Sequence, residues 1–311
     1  MIKYKPDSIN RNFYYDQYQL LYSMDYSENE TLWCENKVCF YCKKCNRDKD
    51  KKLFKMRAHA VSKMFESRLY NYDECDNCNI LFSNKYESAL GLFFNPLKSL
   101  VISGPHKHKD ANIAFQNING DFYVTPTSIV SINLEQNSIT HRVTKPRIDY
   151  LDIYCALLKM SCSIFPRTHR SLIEEALKLL SFDSKMRDLA RVAQLFGLWG
   201  INDEKSRERK IYLFRRRTNY PCPDYMCFIQ YYRFYFQVYI PFSSTFPDST
   251  CNIEPWQRIV PYQNLSDIQG VRAKIFYTNQ IEEKEVIHFT TVSTNKVMFE
   301  NYLKSNGLIN P

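Results

Sequence analysis

The chain has 311 residues, 44% of them hydrophobic and 15% aromatic, with only 7 glycines. This composition excludes wholesale disorder and supplies a real core, and the length favours two domains. The 42 Lys+Arg against 33 Asp+Glu leave a net charge of +9, which favours a polyanionic partner by simple attraction.

Residues 1–33 are polar and tyrosine-rich and read as an N-terminal extension or docking segment. The opening Met1-Ile2-Lys3-Tyr4-Lys5-Pro6 has no apolar signal core, and no apolar run is long enough to span a bilayer. Eleven cysteines, an odd number without an export signal, read as reduced thiols rather than a disulfide framework. A cytoplasmic protein is expected.

Residues 34–118 form the next unit. A charged run from Lys43 to Lys52 reads as a loop ahead of a strand over Leu53–Ala60, suited either to phosphate or to water. Asn79 to Phe94 has helical periodicity. Ile80, Phe82, Ala89, Leu90 and Phe93 supply the apolar face, while Asn79, Ser83 and Glu87 share the other. Asn95-Pro96 stops the helix, and His106 and His108 lie in the basic loop Gly104–Lys109.

Residues 119–311 read as an α+β accessory domain. Asp121–Thr125, Ser128–Leu134 and Ile139–Val143 alternate like short strands. Three helices follow, Tyr150–Phe165, Thr168–Phe182 and Lys185–Trp199, separated by Pro166 and the Asp183-Ser184 cap signal. An aromatic-rich sheet is expected from Ile211–Arg215, Cys227–Tyr232, Phe234–Ile240, Arg272–Thr278 and Glu285–Thr290, with a closing helix over Lys296–Lys304. Arg215-Arg216-Arg217 suits a DNA contact, although strand alternation turns Arg216 away from its neighbours. The aromatics from Tyr231 to Tyr239 fill a core before they stack bases. Cys222 and Cys227 have no partner pair, so no second zinc site is expected there.

The chemistry is concentrated in two C-x-x-C pairs, Cys39-Phe-Tyr-Cys42 and Cys75-Asp-Asn-Cys78, which enclose His59. Tetrahedral zinc needs four soft or borderline ligands, and two tight knuckles supply four thiolates. Four protein ligands leave no position for water, so this zinc is structural. Cys34 or Cys45 lies near enough to replace Cys39 or Cys42. The plain alternatives are buried reduced thiols for the cysteines, a core histidine for His59 and a helix N-cap for Asn79.

The run Ala58-His59-Ala60-Val61, then Tyr72-Asp-Glu-Cys75-Asp-Asn-Cys78-Asn79, Phe82 and Glu87, resembles the HNH endonuclease family, specifically its stand-alone bacterial branch. The likeness is specific over residues 39–94 and fainter over Tyr154–Pro166 and Tyr239–Phe242. It implies a zinc-stapled ββα-metal, treble-clef-like module followed by the α+β accessory domain. It also implies a metal-dependent endonuclease on nucleic acid, double-stranded DNA before RNA, with a place in phage defence. In that likeness His59 is the general base, and Asn79 holds a catalytic Mg²⁺ or Mn²⁺ beside the structural Zn²⁺. Many relatives carry Asp or Glu before the histidine, where this chain has Ala58. Asn71, Asp73, Glu74, Asp76, His106 and His108 are the nearest candidates for the missing ligand, while Glu87 is about 12 Å of helix rise beyond Asn79. The other class of reading is a non-catalytic zinc module that binds nucleic acid or a partner protein. A third reading keeps the nuclease and makes the C-terminal region a sensor that holds it off until triggered.

Overall fold

The computed structural model describes residues 16–32, 38–101, 116–118, 121–123, 129–145, 147–181, 183–201, 208–217, 223–243, 272–293, 295–305 and 308–309. Cys34, His106, His108 and Cys222 lie outside them. The fold is mixed α+β. In chain order the strands are β1 (Tyr18–Asp25), β2 (Glu30–Leu32), β3 (Ala58–His59), β4 (Leu69–Asn71), β5 (Gln116–Ile118), β6 (Asp121–Tyr123), β7 (Ile129–Asn133) and β8 (Ser138–Lys145). They continue as β9 (Ile148–Asp149), β10 (Phe196–Ile201), β11 (Arg209–Arg216), β12 (Tyr225–Tyr231), β13 (Phe234–Ile240), β14 (Arg272–Tyr277), β15 (Ile281–Glu282) and β16 (Glu285–Val292). The helices are α1 (Asp76–Phe82), α2 (Ser88–Val101), α3 (Tyr150–Ser163), α4 (Glu174–Leu180), α5 (Ser184–Val192) and α6 (Lys296–Ser305).

Two compact units result. One comprises Met1–Leu90 and Asp149–Gln280, the other Gly91–Ile148 and Ile281–Pro311. In the first, an antiparallel sheet of six described strands runs β1-β11-β12-β13-β10-β14. Every residue of β12 and β13 is buried, as central strands covered on both faces must be. The Tyr231–Tyr239 aromatics therefore fill the core. Helix α3 packs on β13 and is buried along its whole length. Its N-terminus is capped by Asp149, whose carboxylate accepts the Leu151 N–H at 3.0 Å.

Two elements differ from the sequence expectation for physical reasons. The third helix ends at Val192, and Phe196–Ile201 is strand β10 inside the sheet. The stop is a left-handed turn at Gln194 (φ 49°), closed by Leu195 N–H to the Ala190 carbonyl at 3.4 Å. With glutamine rather than glycine in that position, nothing in the composition marks the end. The expected strand over Leu53–Ala60 is reduced to Ala58–His59. Asp76, at the start of α1, accepts the N–H groups of Lys55 and Met56 at 3.2 and 3.0 Å, diverting them from any ladder. Within the polar N-terminal stretch, β1 forms the sheet edge beside β11, and β2 pairs in parallel with β4.

The second unit carries the antiparallel sheet β16-β8-β7 and the hairpin β5–β6. Its small core gathers Ile139 of β8 with Phe299 and Leu303 of α6. Asn295 starts α6 by accepting the Met298 N–H at 3.0 Å.

Gly197 in β10 is required by its neighbour. A Cβ there would lie 2.3 Å from the Phe276 ring, which is buried and stacks on Tyr150 at 5.5 Å. Gly197→Ala is expected to lower stability by about 1–3 kcal/mol through overpacking. Urea denaturation of Gly197→Ala, Phe276→Leu and the double variant checks this, because the smaller side chain restores part of the loss only if the two groups clash.

Candidate metal centre and histidine site

The first knuckle turns at Cys39–Cys42. Lys43 follows in the left-handed region (φ 57°), and its N–H returns to the Cys39 carbonyl at 3.1 Å. The second knuckle is a helix start, with Cys75 at the N-cap and Cys78 in the first turn of α1. Phe40 N–H to the Asp73 carbonyl at 2.7 Å and Cys75 N–H to Cys39 Sγ at 3.4 Å tie the two knuckles together.

This brings Cys39, Cys42, Cys75 and Cys78 to within 4.8 Å of one another at sulfur. The Cys39–Cys78 and Cys42–Cys75 separations are 3.8 and 3.9 Å. A zinc–sulfur bond of about 2.3 Å in a tetrahedron places ligand sulfurs about 3.8 Å apart, so the donor set fits a structural metal ion such as zinc. Side-chain contacts with Cys75 and Cys78 hold the Cys39 thiol far below its ordinary range, while contact with Cys39 pushes the Cys75 and Cys78 thiols up. A bound divalent ion takes the place of those S–H contacts and favours the thiolate at all four sulfurs. Cys45 stands at the rim. Its carbonyl accepts the Cys39 N–H at 2.9 Å, burial raises its thiol, and that thiol contacts Cys75 and Cys42 from outside the group of four.

His59 lies on β3 opposite Tyr70 of β4, with ring centroids 4.8 Å apart. It is half-buried. Desolvation first, then the positive charge of Lys159, hold its pKa below the ordinary 6.5, while Glu87 pulls the other way. Its Nδ1 is buried without a hydrogen bond of ordinary geometry, although the Ser67 main chain is close enough to favour the protonated ring. Asn79 is half-exposed and lies inside the first turn of α1, where its N–H bonds the Cys75 carbonyl at 3.0 Å. The N-cap position belongs to Cys75 instead.

The helix that carries Asn79 also contains a π-turn at Ser83–Glu87. Its buried stripe is Cys78, Phe82, Tyr86 and Leu90, while Ile80 is 46% exposed, contrary to the expected apolar face. At ~100° per residue, twelve residues would leave Leu90 about 120° away from Cys78. The wider π-turn absorbs much of that drift. Tyr41 rests edge-on against Phe82 at 4.9 Å, and Tyr86 donates to the Leu180 carbonyl at 3.1 Å.

The candidate oxygen ligands are already engaged by protein groups. Asn71 Oδ1 accepts the Asp73 N–H at 3.0 Å, and Asp73 pairs with Arg170 at 2.8 Å. Asp76 holds Lys55 and Met56. Glu87 accepts from Ser62 Oγ at 2.7 Å. Glu74 is 2% exposed beside Lys159, and burial pushes its carboxyl up to about 7 against the pull of that lysine. Among the described residues, the four cysteines are the single cluster of His, Cys, Asp or Glu gathered closely enough to hold an ion. Arg216 is paired with Asp224 at 2.7 Å, and Arg217 donates to the Asp16 carbonyl at 2.9 Å.

Lys159 is the neighbour that motif reading passed over. Its one signal in the sequence is a lysine within Ala156-Leu157-Leu158-Lys159-Met160, an otherwise apolar helical run. Among the described residues, no helix is long and apolar enough to cross a membrane. Comparison with protein-family models, curated proteins and solved structures found no match to this chain.

Elemental analysis of the folded protein is expected to give one zinc per chain. Cys78→Ser loses most of that zinc together with the cooperative melting transition, since a structural zinc site is worth about 10–16 kcal/mol in small modules. Cys45→Ser keeps the metal stoichiometric. Equal loss in both variants would place Cys45 among the ligands.

Proposed function

We propose that the chain is a metal-dependent endonuclease of the HNH kind that hydrolyses phosphodiester bonds, with double-stranded DNA as the favoured substrate. The reading is carried by one observation: a half-exposed imidazole, its pKa lowered by partial burial and by Lys159, sits on the two-residue strand of a hairpin flanked by the four-thiol cluster. A neutral imidazole near physiological pH accepts a proton from water. In the proposed step, His59 takes that proton as the water oxygen attacks phosphorus in line with the leaving oxygen.

Mg²⁺ or Mn²⁺, when bound, stabilises the charge that develops on the phosphoryl oxygens. Asn79 is the candidate protein donor. The nearby carboxylates are occupied as described, so no step is assigned through the ion. Exposed Lys43, Lys44, Lys51, Lys52, Lys55 and Arg57 lie in the segment between the first knuckle and β3 and suit a phosphate backbone.

A second reading has its own support. Engagement of Asn71, Asp73, Glu74, Asp76 and Glu87 by protein groups fits a zinc-stapled module that binds nucleic acid or a partner protein without cleaving.

A plasmid-nicking assay with Mg²⁺ or Mn²⁺ separates the two. Wild type is expected to nick, and His59→Ala to fall by about 10²–10⁴-fold. Absence of cleavage by wild type, or equal cleavage by both, removes the enzyme reading, and salt-dependent DNA binding alone supports the second. The pH profile adds a sign. A general base works deprotonated, so a lowered His59 pKa shifts the acid limb of the rate profile to lower pH than an ordinary imidazole would give.

A further inference from the structure

Beneath His59 lies a cation that the proposed chemistry does not use. Lys159, two-thirds of the way along α3, is 1% exposed. Its Nζ donates to the His59 carbonyl oxygen. The same nitrogen lies 3.3 Å from Glu74 Oε2 and 3.8 Å from Glu87 Oε1, and 6.0 Å above the Phe82 ring. These partners come from β3, from the segment entering the second knuckle, from the π-turn and from α1. One ammonium group thus links β3, the segment entering the second knuckle and the helix that follows it.

Burying the Lys159 ammonium and the Glu74 carboxylate, with Glu87 partly buried beside them, carries a large desolvation cost. Apolar residues of similar volume hold elements together as well or better, so packing alone does not account for the charge. The carbonyl that Lys159 grips belongs to the residue whose imidazole is the candidate base. We propose that Lys159 is a positioning residue for His59, fixing the main chain of β3 from inside and setting a positive charge behind the ring.

The inference rests on the endonuclease reading for its purpose, and on geometry for its substance. The charged and polar groups facing the ring come from each neighbouring element. They are Lys159 from α3, Glu87 from the π-turn, Lys63 from the short turn Lys63–Phe65, the Ser67 main chain and Tyr70 from β4. Glu87 is itself held by Ser62 Oγ and by Lys159, so its opposing charge is partly spent. The lysine charge then disfavours a second positive charge on the imidazole and keeps it able to accept a proton. The grip on the carbonyl limits displacement of the ring, where an error of about 1 Å costs on the order of 10²-fold in rate.

The test follows the His59 ring itself by NMR titration, with zinc content and thermal melting measured alongside. Lys159→Gln keeps a donor for the carbonyl and removes the charge. Its ring midpoint is expected to rise by about half a unit or more, and the acid limb of nicking to rise with it. Lys159→Met removes both, and nicking is expected to fall about tenfold or more at the plateau pH. Should Lys159→Met fail to fold, Lys159→Met/Glu74→Gln removes the stranded buried carboxylate and carries the same expectation. A ring midpoint in Lys159→Gln equal to wild type overturns the proposal. A raised midpoint in a protein that never nicks DNA leaves Lys159 as the group that sets His59 and ends the endonuclease reading instead.

Discussion

A hairpin whose described strands are two and three residues long, β3 and β4, has almost no hydrogen-bonded ladder of its own. Pairs of strands this short do not stand alone in water. What closes the unit is the convergence of four sulfurs at separations that match the edges of a zinc tetrahedron. The positions of His59, Asn79 and the start of α1 follow from that closure. A metal bound there converts ligand affinity directly into folding free energy.

The cysteine unit is also built into the body of its compact unit. Tyr41 OH meets Ser163 Oγ of α3 at 2.7 Å, Arg170 reaches Asp73 at 2.8 Å, and the Arg170 guanidinium lies 4.1 Å from the Phe40 ring centre. Asp73 and Glu74 precede Cys75 directly, so buried cations hold the main chain where it enters the second knuckle. Charges buried this deeply are tolerated only when paired, and loss of one partner is costly. Helix α3 is therefore part of the framework around the candidate site.

Electrostatics around His59 act in one direction overall. Partial desolvation and Lys159 both disfavour the imidazolium, and Glu87 offsets them in part. Such tuning suits a base working near neutrality, and it equally suits a histidine that must stay uncharged beside buried lysine. The two functional readings differ in what approaches the exposed side of the ring.

The four cysteines that come together as a candidate metal site were legible in the chain alone, because C-x-x-C spacing is a local constraint that survives without knowledge of the fold. The sequence by itself determined most of the strands and helices beyond Asp149, where alternation and Pro166 or Asp183 mark the boundaries. It did not reveal the end of α5, since the left-handed turn falls on Gln194, or the loss of the strand before Ala58, since Asp76 takes those N–H groups from 20 residues away. Only the tertiary structure brought Lys159 to a carbonyl 100 residues earlier in the chain and spent the carboxylates near the second knuckle on structural partners. Contacts at such separations depend on how the helices and sheet pack, and no local residue pattern encodes them.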